Sequence, residues 1–245
     1  MKYMGSKARL SKELAPIINN LIKENNIVTY IEPFVGGCNM IDSILCENRI
    51  GSDNNEYLIA MWNALQNGWL PPSDITKEPY IDIKNNKDNY PKELVSIVGF
   101  CATYNAKWFG GFAGKVRTKI GTYRNYYDES IRNILKQLPK LHNVKFNVGD
   151  YTQYSSVSGC LIYCDIPYKN TTQYGTSKDF DHDAFWEWVR CMSKSNIVLV
   201  SEYNAPKDFT CIYEKQLTTT LDKNSRKLDT EKLFILNDYI ININK

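Results

Sequence analysis

Long apolar runs are missing from this 245-residue chain. No stretch approaches the roughly 18 apolar residues needed to cross a bilayer. The opening residues, with Lys2, Lys7 and Arg9, lead into no apolar segment of the secretory kind. The expectation is a cytoplasmic protein without a membrane partner. Histidine is scarce, only His142 and His182. The seven cysteines (38, 46, 101, 160, 164, 191 and 211) contain no Cys-x-x-Cys pair. Cys160 and Cys164 stand four residues apart in an apolar run with neither histidine nearby, which is wrong for a zinc site. Reduced core thiols and no metal are expected. A complete Gly-x-Gly-x-x-Gly is absent, as is Gly-Lys-Ser/Thr, so a pyrophosphate ligand such as NAD or ATP is disfavoured. There is no internal repeat and no low-complexity tract. A net charge of +3 is too small to identify a polyanionic partner by itself.

Hydrophobic residues at 43% and charged residues at 23% describe an ordinary globular chain, long enough for one core with a sizeable insertion. Val28 to Phe34 reads as a buried strand, running through Val35-Gly36-Gly37 into a helical pattern of Met40, Ile41, Ile44 and Leu45. Arg49 to Asp53, Val144 to Val148, Cys160 to Tyr163 and Asn196 to Val200 read as further strands, with a helix from Asp181 to Met192 between the last two. This alternation argues for a mostly parallel α/β sheet. From Glu56 to His142 the rhythm breaks: a polar loop (Asn85 to Lys92), a basic aromatic segment and a helix from Asp128 to Leu138 form an expected inserted lobe. Phe209 to Tyr213 and Leu233 to Ile243, joined by a basic loop around Lys223, Arg226 and Lys227, suggest a terminal hairpin.

Glu32-Pro33-Phe34-Val35-Gly36-Gly37 lies where a strand's carboxyl end meets the next element, the place where open α/β sheets bind nucleotides. Gly36 and Gly37 let a ligand approach the backbone. Asp53 ends the next strand 17 residues after Gly36, near the offset at which an acid grips ribose hydroxyls. A nucleoside ligand without pyrophosphate fits best, although a glycine pair alone is also an ordinary turn. Asp165-Ile166-Pro167-Tyr168 follows another apolar strand. A carboxylate with a neighbouring backbone carbonyl accepts both protons of an aromatic amine and draws the nitrogen lone pair out of conjugation. Pro167 stiffens the turn, and Tyr168 offers a face for an extruded base, a stack worth about 1–3 kcal/mol. From Asn105 to Tyr126 the chain carries Lys107, Lys115, Arg117, Lys119 and Arg124, no acid, and interleaved aromatic residues. This is a nucleic-acid-like pattern, although surface charge alone also makes a solvated basic face.

Together these segments resemble the Dam-type (D12 class) family of DNA N6-adenine methyltransferases. Tyr3-Met4-Gly5-Ser6-Lys7 resembles its aromatic-x-Gly-Gly-Lys motif, Glu32 to Gly37 its Asp/Glu-Pro-Phe-x-Gly-Gly loop, and Asp53-Asn54-Asn55 the acid ending its second strand. Gly149-Asp150-Tyr151 resembles its Gly-Asp-Phe/Tyr, and Asp165 to Tyr168 its Asp-Pro-Pro-Tyr. Ile166 stands for the first proline of that motif, and Ser6 and Cys38 stand where the family often has glycine.

The resemblance implies a Rossmann-like S-adenosylmethionine-dependent methyltransferase fold: a mostly parallel seven-stranded sheet with a terminal antiparallel hairpin. Residues 1–55 and 143–245 would form the catalytic domain, and 56–142 a small, mainly helical inserted target-recognition domain. It implies S-adenosylmethionine held by Tyr3, Lys7, Glu32, Phe34, Gly36, Gly37, Asp53, Asp150 and Asp165, with Asp53 on the ribose and Asp150 on the cofactor's adenine amine. Asp165, Ile166, Pro167 and Tyr168 would receive a flipped adenine of double-stranded DNA. Asn105, Lys107, Lys115, Arg117, Lys119, Arg124 and Arg226 would contact DNA, the cations chiefly at phosphates. A monomer or weak dimer, working beside a cognate restriction endonuclease, completes that picture. Methylation of cytosine N4 or of an RNA adenine uses the same geometry, Asp rather than Ser at 165 favouring adenine by resemblance. A catalytically silent DNA-binding homologue is the reading from another class.

Overall fold

The computed structural model describes residues 1–3, 5–168, 180–222 and 225–237, with side chains for all of these except 217–222 and 225–229. In chain order the elements are α1 (Ser11–Glu24), β1 (Thr29–Glu32), β2 (Asn48–Asp53), α2 (Glu56–Gln66), α3 (Lys77–Asn85), α4 (Lys92–Cys101), β3 (Lys115–Arg117), β4 (Tyr123–Asn125), α5 (Tyr126–Gln137), β5 (Val144–Val148), β6 (Leu161–Asp165), α6 (His182–Met192), β7 (Ile197–Glu202), β8 (Phe209–Asp222) and β9 (Ser225–Leu236).

Period-two alternation builds the central sheet. Tyr30, Leu161, Tyr163, Ile197 and Leu199 enter one core, and their neighbours Ile31, Ile162, Cys164, Val198 and Val200 enter the core on the other face. The strand order is β5-β2-β1-β6-β7-β9-β8. β5, β2, β1, β6 and β7 run parallel, while β9 is antiparallel to both β7 and β8. This is the expected α/β arrangement with its terminal antiparallel hairpin. The hairpin is longer than its apolar residues suggest, because β8 and β9 pair from Phe209 and Leu236 out to Asp222 and Ser225. The part of the expected strand beyond residue 237 lies outside the described residues.

Strand order reverses between β1, which continues to β2, and β6, so a crevice opens at their carboxyl ends. Glu32 ends β1 there, and Asp165 ends β6.

The helix expected from Met40 to Leu45 is only a 3-10 turn, Ile41–Ser43. Its backbone groups are taken by side chains. The Arg49 guanidinium donates to the Ile41 carbonyl (2.8 Å), which a continuing helix would offer to Leu45, and the Leu45 N–H donates instead to Asn19 Oδ1 (2.8 Å). Asn19 Nδ2 also claims the Ser43 carbonyl (3.2 Å). The structure adds a helix ahead of β1: α1 buries Leu14, Ile18 and Ile22, four residues apart on one face, while Pro16 sits exposed on the other.

Side-chain caps set the starts of α2, α5 and α6: Asn55 accepts from Leu58 N, Asn125 from Tyr127 N and Asp128 N, and Asp181 from Asp183 N and Ala184 N. Residues 56–142 contain α2 to α5 and the two-stranded β3–β4 ribbon. Val95, Ile97 and Val98 of α4 and Ile134 of α5 share one core with Tyr30, Val144 and Phe146 of the sheet, so this segment is built onto the sheet's own interior.

Candidate active site

Side chains hold three successive carbonyls of the turn after β1. Trp62 Nε1 donates to the Gly36 carbonyl (3.1 Å), and Gln137 Nε2 donates to those of Gly37 (3.1 Å) and Cys38 (2.8 Å). Gly36 adopts φ +46, and a Cβ there would lie 2.9 Å from the Tyr3 ring; at Gly37 it would lie 2.7 Å from Tyr3 Cβ. The glycines therefore make room for Tyr3 as well as for a ligand. Cys38 occupies φ +57, a left-handed position that suits the glycine its family pattern has.

Asp53 reaches back to this turn. Its Oδ2 accepts from Gly36 N (3.2 Å) and its Oδ1 from Asn55 N (2.9 Å). Burial nonetheless pushes its carboxyl up to about 6. Glu32 is 3% exposed and accepts from Tyr30 OH (3.0 Å); burial drives its carboxyl well above the usual range. Gly149 N donates to the Asp53 carbonyl (3.1 Å), which sets Asp150 beside Asp53. Asp150 is exposed and takes both the N–H (2.8 Å) and the hydroxyl of Thr152 on Oδ1. Phe34 packs among Tyr151, Phe180 and Phe185 at ring-centre distances of 6.0, 5.8 and 6.1 Å.

The end of β6 carries a compact charge cluster. Lys7 Nζ lies 2.9 Å from Asp165 Oδ1 and 3.3 Å from Glu231 Oε2, and it donates to Tyr168 OH. Tyr168 OH in turn donates to Glu231 Oε2 (2.6 Å). The side chains of Lys7, Asp165 and Glu231 are 7, 20 and 14% exposed. Burial disfavours the Lys7 charge, but Asp165 and Glu231 outweigh it and hold the ammonium above its ordinary pKa. Burial likewise raises Asp165, with Lys7 pulling the other way. Nζ is nearer the Tyr168 hydroxyl than the ring centre, 4.4 Å away, so the contact is a hydrogen bond at the ring's edge. Ile166 is buried in the core that includes Phe185 and Val200, and this apolar seat accounts for an aliphatic side chain where the motif has proline. Pro167 is half-buried in the same turn.

The structure thus brings Lys7, Asp165 and Tyr168 together, and Asp53 to the glycine turn that packs Tyr3. Glu231 was not expected from the sequence; it lies in an unremarkable run, Thr230-Glu231-Lys232, and only strand pairing carries it to the site.

The basic segment is on the surface. Lys107, Lys115, Arg117, Lys119 and Arg124 are exposed, and β3 pairs with β4 from Lys115 opposite Asn125 to Arg117 opposite Tyr123. Asn105 is exposed, with φ +56 in the turn Tyr104–Ala106. Ile120, 86% exposed, and Tyr123, 68% exposed, accompany the ribbon's cations. Arg124 is already engaged, bidentate to Glu129 (2.7 and 2.8 Å) and over the Tyr126 ring (4.5 Å). A train of rings ties this segment to the glycine turn: Trp108 packs on Phe100 (4.7 Å) and Phe100 on Tyr3 (5.4 Å). The Arg226 side chain lies outside the described residues. Among the described residues no group of His, Cys, Asp or Glu forms a metal-holding cluster, and no helix is long and apolar enough to cross a membrane.

Residues 3–224 match the model of the D12 class N6 adenine-specific DNA methyltransferase family. Type II methyltransferase M.MjaIII of Methanocaldococcus jannaschii is 26% identical over 247 residues, covering 83% of this chain and 84% of that protein. Type II methyltransferase M.FokI of Planomicrobium okeanokoites is 20% identical over 84% of this chain but only 34% of its own length, and modification methylase StsI of Streptococcus sanguinis is 25% identical over 70% of this chain and 29% of its own. The activity of the matched class is methylation of DNA adenine at N6, with S-adenosylmethionine as donor. The chain belongs to the D12 class N6 adenine-specific DNA methyltransferase family.

Proposed function

We propose that this chain methylates N6 of a flipped adenine at a specific sequence in double-stranded DNA, using the carboxyl ends of β1, β2, β5 and β6 as the site. The observation that carries this reading is the seating of Asp165 and Tyr168 beside Lys7 at the end of β6, next to the glycine turn of β1.

S-adenosylmethionine presents an ammonium, a ribose diol and an adenine amine, all of which carboxylates recognise. Glu32, Asp53 and Asp150 stand at three strand ends, and Asp150 Oδ2 has no donor among the described residues. The donor set therefore fits. Glu32 and the Gly36-Gly37 backbone would hold the methionine portion, Asp53 the ribose, Asp150 the adenine amine, with Tyr3, Lys7 and Phe34 flanking them. When bound, the cofactor supplies a methyl group on a positively charged sulfur.

Asp165 Oδ1 is occupied by Lys7, and Oδ2 has no donor among the described residues. Oδ2 and the Ile166 carbonyl would accept hydrogen bonds from the two N6 hydrogens, freeing the nitrogen lone pair for direct attack on the methyl carbon without a covalent enzyme intermediate, and the methylated nitrogen would then lose one of those hydrogens as a proton. Pro167 fixes the turn and Tyr168 stacks on the base. Catalysis by these groups is positioning. Residues 56–142 act as the target-recognition segment, with Asn105, Lys107, Lys115, Arg117, Lys119, Arg124 and Arg226 at the DNA. The chain would act in the cytoplasm as a monomer or weak dimer, and the type II names of its relatives favour a cognate restriction endonuclease as its partner.

The test is single-molecule sequencing of plasmid DNA from a methylation-deficient host expressing the chain. N6-methyladenine in one sequence context is the expected result; unmodified DNA from soluble, cofactor-binding protein overturns the reading.

A further inference from the structure

Glu231 belongs to none of the motifs at the strand ends, yet it closes the hydrogen-bond ring at the site. It reaches in from β9, where its neighbour Lys232 pairs with Glu202 of β7, one residue beyond the Ser201 that faces Asp165. Its Oε2 accepts both from Tyr168 OH and from Lys7, while Lys7 also binds Asp165 and Tyr168 OH. The three ammonium protons of Lys7 thus have three oxygen partners, and the Tyr168 hydroxyl both donates and accepts. A tyrosine whose ring is to stack on a base has one soft rotation left, about the ring axis, once its hydroxyl is pinned. Tyr203 meets the ring edge-on, 4.6 Å between centres at 74°, and limits that rotation too.

We propose that Glu231 is a positioning residue for methyl transfer: it orients the Tyr168 ring for stacking on the target base and, with Asp165, keeps Lys7 protonated. This rests on the proposed role of Asp165 and Tyr168. Among the described residues the charged groups facing Lys7 are Asp165 from the end of β6 and Glu231 from β9, with Tyr168 the titratable neutral partner. Removing the Glu231 charge leaves Lys7 with one carboxylate. An opposite charge this close shifts a pKa by about 1–3 units, so the alkaline limb of the rate profile should move down by about that much.

The test compares wild type, Glu231→Gln and Glu231→Ala on a duplex carrying the methylated sequence found by sequencing. The readings are the single-turnover methylation rate against pH and the emission of 2-aminopurine placed at the target adenine. Gln keeps an acceptor for Tyr168 OH but no charge: wild-type 2-aminopurine emission with a lowered alkaline limb is expected. Ala loses both: brighter emission from an unstacked base and a rate lower by about tenfold or more, with cofactor affinity changed by less than about threefold. Wild-type emission and rate in Ala, or an unmoved alkaline limb in Gln, overturns the proposal. Should Ala fail to fold, the isosteric Gln variant still decides it. A wild-type protein that binds cofactor but neither flips nor methylates any duplex overturns the functional reading beneath it instead.

Discussion

Replacing Lys7 by Met isolates the buried charge cluster, because Met keeps most of the volume and removes only the cation. The ammonium contacts Asp165 at 2.9 Å and Glu231 at 3.3 Å, in a pocket where the three side chains are 7, 20 and 14% exposed. Without it the two carboxylates are left with no compensating charge among the described residues. Breaking a buried ion pair by removing one partner costs about 3–5 kcal/mol, a large share of the roughly 5–15 kcal/mol that holds a domain folded. Urea unfolding followed by tryptophan fluorescence reads the loss. The loss should also depend on pH. Lys7 is what pulls the Asp165 carboxyl down against burial, so in Lys7→Met its folded-state pKa rises further above the unfolded value. A group raised in the folded state binds protons more tightly there, so stability falls as pH climbs from the unfolded pKa through the folded one. The deficit should therefore be largest at neutral pH and shrink at acidic pH, as the medium approaches the unfolded carboxylate's own range. A deficit below about 1 kcal/mol, or one identical at neutral and acidic pH, would refute the view that this cation compensates buried carboxylates.

Three further outcomes are expected. Asp165→Ala should abolish methyl transfer and leave cofactor affinity within about tenfold, because that carboxylate is the proposed acceptor for the substrate amine; retained turnover removes Asp165 from the chemistry. Lys115→Ala or Arg117→Ala should each weaken DNA binding and lower the salt slope by about 1, measured by fluorescence anisotropy, whereas Arg124→Ala should do less because Glu129 already neutralises it. An unchanged slope moves the DNA surface elsewhere. Cofactor binding by calorimetry should weaken as pH falls through about 6, where Asp53 protonates, and Asp53→Asn should bind more weakly and flatten that dependence; a pH-dependent Asn variant would assign the titration to another group.

The strand ends were legible because their chemistry is local. β5 runs Val144–Val148 as its alternation implies, and the Asp181 cap marks the start of α6. Asp53 ends β2 as read, whereas β1 stops at Glu32 rather than Phe34 and β6 runs on past Tyr163 to take in Asp165. What was not legible depends on distant partners. The apolar spacing after Gly37 is helical, but Asn19 and Arg49 take the backbone groups a helix would use. α1 carries Pro16 in its interior, which argues locally against a helix, although Leu14, Ile18 and Ile22 supply a clear buried face. Glu231 is marked by no motif, since its role arises only from β9 pairing with β7.

The continuity of the interior across α4, α5 and the sheet limits how such a protein can acquire a new target sequence. Exchanging 56–142 wholesale with a relative would put foreign side chains against Tyr30, Val144 and Phe146, and would break the Gln137 bonds that brace the turn after β1. The β3–β4 ribbon is under no such constraint, because its exposed cations and Ile120 can be replaced without disturbing a buried neighbour. If the ribbon reads DNA as proposed, divergence in recognition is channelled into a few surface positions, while the rest of the insertion drifts only in concert with the sheet it packs on.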